Sequence, residues 1–263
     1  MSSILSRSVL RQVLEKAVSY GADFAEVYAE HTKSNRMTMV DGKVETIMDN
    51  FLSGAGIRVF KGLKSAYAST SDLSLPSLLK CAENAAASLS NTPASREILL
   101  TERLFGDIHP IRIVPDTAPN ARKAEILRTA YTSAKSYHES ISQVETALID
   151  VDHEILIANT DGLLTGDRQI RTRLFTQAVA SKNGENQTGS CSPGRRMGLE
   201  MFDAIDPASV GRDAARQAVV MLSAGYCPAG KMTVAIENGF GGVIFHEACG
   251  HSLEATSVAK GNS

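Results

Sequence analysis

The sequence predicts an α+β fold: a mixed or antiparallel sheet with hairpins and packed helices, followed by the start of a second, β-rich domain. Three observations lead there. Short alternating runs meet at tight-turn signals, Asp41-Gly42 foremost, which predicts antiparallel hairpins. Helical periodicity returns between groups of strands and does not follow each strand singly, which argues against a doubly wound parallel sheet. A helix closing at Gly225 then gives way to Cys227-Pro228 and a glycine- and histidine-bearing segment of different character. The organisation predicted is an N-terminal domain over residues 1–225 and the beginning of another over 226–263.

The elements follow in order. From Ile4 to Ser19, Leu5, Val9, Leu10, Val13, Leu14 and Val18 recur at helical spacing, and Gly21 closes the helix. Phe24, Glu26 and Tyr28 alternate with Ala25, Val27 and Ala29, which predicts a strand. Asn35–Val40 and Lys43–Asp49 flank Asp41-Gly42 and predict a type I′ hairpin. Ser53–Phe60 and Leu63–Ser69, joined at Lys61-Gly62, continue the meander. Leu75–Ser88 is Leu- and Ala-rich, with Ser74 as N-cap and Pro76 in the first turn. Residues 91–120 hold Pro93, Pro110, Pro115 and Pro119 and read as a connection. A helix follows at Ala121–Tyr137. Strands run through Ile141–Asn159 and Arg168–Ser181, joined through Thr160-Asp161-Gly162. Asn183–Gly194 reads as a mobile loop and Pro207–Ala224 as a helix. Val234, Ile236, Val243 and Ile244 read as strands of the second domain, without partners here. The last ~35 residues are therefore expected to be disordered, swapped or partner-bound.

Composition excludes several classes of function. With 27 basic and 29 acidic residues, the net charge of -2 leaves no electrostatic footprint for direct nucleic-acid binding. Cys81, Cys191, Cys227 and Cys249 are widely spaced, without a CxxC pair, and read as reduced thiols of a cytoplasmic protein. No apolar run reaches the length of a membrane span. Met1–Gly21 reads as an amphipathic helix in preference to a transit peptide. Asn186-Gln187-Thr188 is a glycosylation sequon that would go unused in the cytoplasm. The arginines of Arg168-Gln169-Ile170-Arg171-Thr172-Arg173 read as a solvated strand face, with an acidic substrate as the sharper alternative.

The chemistry is concentrated in Gly241-Gly242-Val243-Ile244-Phe245-His246-Glu247-Ala248-Cys249-Gly250-His251-Ser252-Leu253-Glu254. Neutral imidazoles suit zinc, and an adjacent carboxylate suits a general base acting on water. The familiar zincin spacing is i and i+4. Here His246 and His251 stand at i and i+5, which on a regular α-helix leaves them roughly 140° apart. A π-bulge would realign them, and Gly250 permits irregular backbone. Cys249 reads first as a small packed side chain. Glu254 reads as a ligand, as a partner orienting an imidazole, or as a solvated helix residue.

The stretch Cys227-Pro228-Ala229-Gly230-Lys231-Met232-Thr233-Val234, running on to His-Glu-Ala-Cys-Gly-His-Ser-Leu-Glu, resembles the TldD branch of the TldD/PmbA family, also described as modulators of DNA gyrase. The resemblance implies a zinc-dependent metallopeptidase. Zn2+ would be held by His246 and His251, and Glu247 would be the catalytic general base. It implies short or unfolded peptides as substrates. It also implies a homodimer, or a heterodimer with a PmbA (TldE)-type subunit. The family's third zinc ligand is a cysteine farther toward the C-terminus, and no residue here corresponds to it. Family members are longer, so the sequence is expected to be their N-terminal half and inactive by itself. The competing reading is a non-catalytic binding or regulatory module that associates with a full-length partner; a histidine pair holding a structural metal, or none, is a third.

Overall fold

The computed structural model describes residues 4–89, 93–236 and 238–263. Met1–Ser3, the start of the Met1–Gly21 segment read as amphipathic, residues 90–92, of which 91 and 92 open the 91–120 connection, and residue 237 lie outside it. Two compact units emerge, Met1–Ala224 and Gly225–Ser263.

The first unit is an α+β sheet domain. Helix α1 (Arg7–Val18) starts on Ser6, whose Oγ accepts the Val9 N–H at 3.3 Å. It buries Leu10, Val13, Leu14, Ala17 and Val18, one face of a 3.6-residue period. Strands β1 (Phe24–Val40), β2 (Lys43–Lys61) and β3 (Lys64–Thr70) form an antiparallel meander. Asp41 and Gly42 have φ of 46° and 80°, the paired left-handed conformation of a type I′ turn. Helix α2 (Leu75–Ala87), the two-residue strand β4 (Thr101–Glu102) and helix α3 (Asn120–Lys135) follow. The long strands β5 (Ile141–Asn159) and β6 (Leu163–Lys182), short β7 (Glu185–Cys191) and β8 (Gly194–Arg195), and helix α4 (Pro207–Ser223) complete it. The sheet order is β3-β2-β1-β5-β6-β4, with β7 and β8 also on β6. β4 is parallel to β6, and the other pairs are antiparallel.

Three differences from the sequence expectation have physical causes. β1 is continuous, not two short strands, and β2 likewise. Around Lys33, which faces Phe51 on β2 and Asp152 on β5, side chains are polar or half-exposed on both faces. The alternation fades there while the hydrogen-bond ladder continues. The expected mobile loop at Asn183–Gly194 contains strand β7. Asn183 and Gly184, with φ of 53° and 85°, make a second type I′ turn that returns the chain onto β6. In the Gly225–Ser263 unit no strand forms among the described residues. Val243 and Ile244 lie in a helical turn, and Val234 and Ile236 are irregular.

One face of the sheet carries both helix pairs. Ala25, Val27 and Ala29 of β1 pack in a core with α1 and α2, whereas Met37 and Met39, on the same side of the strand, pack with Leu127 and Ala130 of α3. Ala134 of α3 meets Ala214, Ala215 and Ala218 of α4 in a third core. Between the pairs the face is uncovered at His31, Lys33, Asp152 and Glu154, the floor of a cleft of about 1060 Å³. At its α3 side Lys123 Nζ lies 3.3 Å from Asp150 Oδ2, and Asn35 Nδ2 donates to Asp150 Oδ1 at 2.7 Å; all three are buried. Nearby, the buried Glu200 carboxylate accepts backbone N–H groups of Ile113 at 2.9 Å, Gly198 at 3.0 Å and Arg112 at 3.2 Å.

Candidate metal centre

The second unit is a chain of short turns. Phe240–Gly242 is a 3-10 turn and Val243–Phe245 a single α-helical turn, α5. His246–Gly250 is a π turn, closed by the His251 N–H donating to the His246 carbonyl. His251–Leu253 tightens to 3-10, and α6 (Ala255–Ala259) follows. The π turn decides the geometry. By adding a residue to one turn it brings i and i+5 to the same side.

The imidazoles of His246 and His251 meet edge to face with ring centroids 4.5 Å apart. One ligand atom each from His246, Glu247 and His251 falls within 4.8 Å of the others, and all three side chains are exposed. His251 Nδ1 bonds Glu254 Oε1 at 2.7 Å. A carboxylate accepts, so Nδ1 carries a proton, and in the neutral imidazole that leaves Nε2 as the nitrogen with the lone pair. Glu247 Oε2 stands 3.7 Å from that Nε2. Zinc–nitrogen bonds of about 2.0–2.1 Å put tetrahedral ligands roughly 3.3 Å apart, so small rotamer changes would bring the two imidazoles onto one ion. Two imidazoles are donors that zinc takes, and a carboxylate beside them is placed to act on water, so the residues present fit part of such a centre.

Of the other residues weighed from sequence, Glu254 is a bonding partner of an imidazole. Cys249 is exposed and outside the donor group. Cys227 is exposed, its thiol directed at the Pro228 carbonyl. Burial pushes the thiol pKa of Cys81 and Cys191 up, for Cys191 with the Asp213 carboxylate adding to it, the direction that disfavours the thiolate. Sequence reasoning missed the Lys123–Asp150 pair. Its signal was Lys123 on the apolar stripe of α3, in line with Leu127, Ala130 and Ala134. No helix among the described residues is long and apolar enough to cross a membrane.

A long-stranded sheet domain carrying two helix pairs, joined to a His-Glu-His π turn, defines a candidate metalloenzyme architecture. The chain belongs to the PmbA/TldD family of metallopeptidases. Residues 25–89 match the PmbA/TldA metallopeptidase domain 1, and residues 113–222 match the PmbA/TldA metallopeptidase central domain. A metalloprotease TldD homolog of Haemophilus influenzae is 30% identical over 99% of this chain and 56% of its own length. A metalloprotease of Methanothermobacter thermautotrophicus is 26% identical over 92% of this chain and 52% of its own. The chain thus spans about half the length of these relatives. In fold it is similar to a candidate modulator of DNA gyrase from Thermotoga maritima, with TM-score 0.67 at 19% identity over 85% of this chain and 50% of the other. It is similar also to TldE from Thermococcus kodakarensis, with TM-score 0.55 at 14% identity over 80% of this chain and 47% of the other.

Proposed function

We propose that the chain supplies the sheet domain and the metal-binding motif of a zinc-dependent peptidase of the TldD branch. The observation that carries this reading is the π turn, which gathers His246, Glu247 and His251 despite their unusual spacing. Zinc, when bound, supplies a Lewis acid that polarises the scissile carbonyl. His246 and His251 are its ligands, and Glu254 fixes the His251 ring so that Nε2 is the donor. Glu247 takes the proton of the attacking water on its carboxylate and delivers it to the leaving amine nitrogen. Catalytic zinc generally takes three protein ligands, so the remaining one comes from sequence in the additional length of the relatives. Alone, these 263 residues are inactive in this reading.

Short or unfolded peptides are the proposed substrates, and the cytoplasm the proposed location. A second copy or a TldE-type subunit is the proposed partner; one similar fold is that of a protein named TldE. A second reading rests on the compactness of Met1–Ala224, which has its own cores and can serve as a binding module without catalysis.

Zinc content of the purified chain, by elemental analysis beside His246→Ala, tests the metal reading. Bound zinc that falls several-fold in the variant is the expected result. Equal, near-stoichiometric zinc in both proteins would remove His246 from the ligand set, and little zinc in either would mean that the ligand absent from these residues is essential for binding.

A further inference from the structure

We propose that the open edge of β6 at Gly166–Ile170 docks an extended acidic peptide segment, which joins the sheet as an additional strand. β6 is an edge strand with patchy cover. β4 pairs with Leu163 and Leu164, β8 with Thr172 and Arg173, and β7 with the strand from Thr176 onward. Between these patches no strand pairs with it among the described residues. The backbone polarity of the gap follows from its ends. Thr101 N donates to Gly162 O at 2.7 Å, Arg103 N to Leu164 O at 2.8 Å, and Leu174 N to Pro193 O at 3.1 Å. Even-numbered residues therefore turn their peptide groups to this edge, and alternation extends the pattern to Gly166, Arg168 and Ile170. The Arg168 N–H is turned back onto the Asp167 carboxylate at 2.9 Å, which agrees with that direction. Gly166, Asp167 and Arg168 are exposed and line the cleft between the helix pairs.

Such an edge is a template for strand addition, with main-chain bonds giving affinity and side chains giving selectivity. Charge selects the occupant. Arg103, Arg168, Arg171, Arg173, Arg195 and Arg196 lie on or next to the strands that bound the gap, together with the acids Glu102, Asp152, Glu154 and Asp167 of the cleft. Arg168 is paired with Asp152 and Arg196 with Asp167. Arg171, Arg173 and Arg195, all exposed on β6 and β8, form no ion pair with a described carboxylate. A second copy docking edge to edge would set these arginines against each other. The Gly225–Ser263 segment mixes Lys231 and Lys260 with its acids and offers no acidic run. An acidic strand of about five residues, ~17 Å at ~3.4 Å per residue, matches both the gap and its charge. The alternative is that the arginines serve to keep a bare edge from aggregating.

The test is a fluorescence-anisotropy titration of labelled Glu-Val-Glu-Val-Glu-Val-Glu with the zinc-free chain, so the result does not depend on the metal reading. Saturable binding is expected, weakened about tenfold in Arg171→Glu/Arg173→Glu, whose exposed positions should leave the unfolding midpoint unchanged. The Lys-Val counterpart and a backbone N-methylated version of the acidic peptide are expected not to bind. Equal binding of acidic and basic peptides, survival of the N-methylated one, or no binding at millimolar peptide would overturn the proposal. So would a dimer of the chain that the double variant dissociates, which would make a second copy the occupant.

Discussion

The two units of this chain place order and chemistry in different currencies. Met1–Ala224 is held by buried apolar clusters with a few buried polar groups, among them the Lys123–Asp150–Asn35 contact and the Glu200 carboxylate on its backbone N–H donors. In Gly225–Ser263 no described residue is buried, yet it holds the donor cluster of the candidate centre. The lesson concerns what fixes a side chain. In the first unit packing does it, so a substitution is felt throughout the sheet. In the second, backbone hydrogen bonds of a π turn and a single carboxylate–imidazole bond do it, so a substitution is felt locally.

The largest effect should come from Asp150→Ala. It leaves the Lys123 ammonium buried on α3 without its counter-charge and frees Asn35 Nδ2. Breaking one side of a buried pair typically costs about 3–5 kcal/mol. Urea unfolding should show the midpoint falling accordingly. A loss below about 1 kcal/mol would mean that Lys123 reaches water, and that this part of the first unit is held no more firmly than the second.

Glu200→Gln comes next. Burial works against ionisation of Glu200, but the backbone N–H groups of Gly198, Ile113 and Arg112 outweigh it and hold its pKa below the ordinary 4.5. A depressed folded pKa stabilises the protein above the unfolded value. That contribution is full above about pH 5 and disappears as pH falls through the folded value. Glutamine keeps the shape but turns an acceptor into a donor facing N–H groups, at a cost of about 1–3 kcal/mol near neutral pH. The variant's stability should also vary less below pH 4.5 than that of the parent. Parallel pH profiles for the two proteins would show that Glu200 is not what the carboxylate-dependent part of the stability rests on.

How much of this was legible in advance depended on the range of the interaction. Asp41-Gly42 announced its hairpin because a type I′ turn is a two-residue property. Asn183-Gly184 carried the same signal, but the polar residues after it masked β7, which exists because β6 offers it a ladder. The middles of β1 and β2 were invisible for a related reason. The continuity of β1 rests on pairing with β5, far along the chain, at a place where neither face is fully covered. The spacing of His246 and His251 stated what backbone it needs, since five residues fit one side only with a widened turn. The Lys123–Asp150–Asn35 contact could not be read, because it joins α3, β5 and β1 through the tertiary fold.

The smallest effect on folding, and the sharpest on the candidate centre, should come from Glu254→Gln. Glu254 is exposed and touches the fold through His251 Nδ1. Its replacement should shift the unfolding midpoint by no more than about 0.5 kcal/mol in equivalent free energy, as for an ordinary surface position. Zinc affinity, read by competition with a chromophoric chelator, should fall about tenfold, because a neutral amide orients the imidazole less firmly and makes Nε2 less basic. The ratio of the two effects is the informative quantity. A large stability loss with unchanged affinity would mean that Glu254 ties the turn to something packed, which would erase the contrast between the units. Affinity loss without stability loss would mean that the second unit is organised by its polar contacts alone, with the imidazole–carboxylate bond setting how well the histidines are aimed.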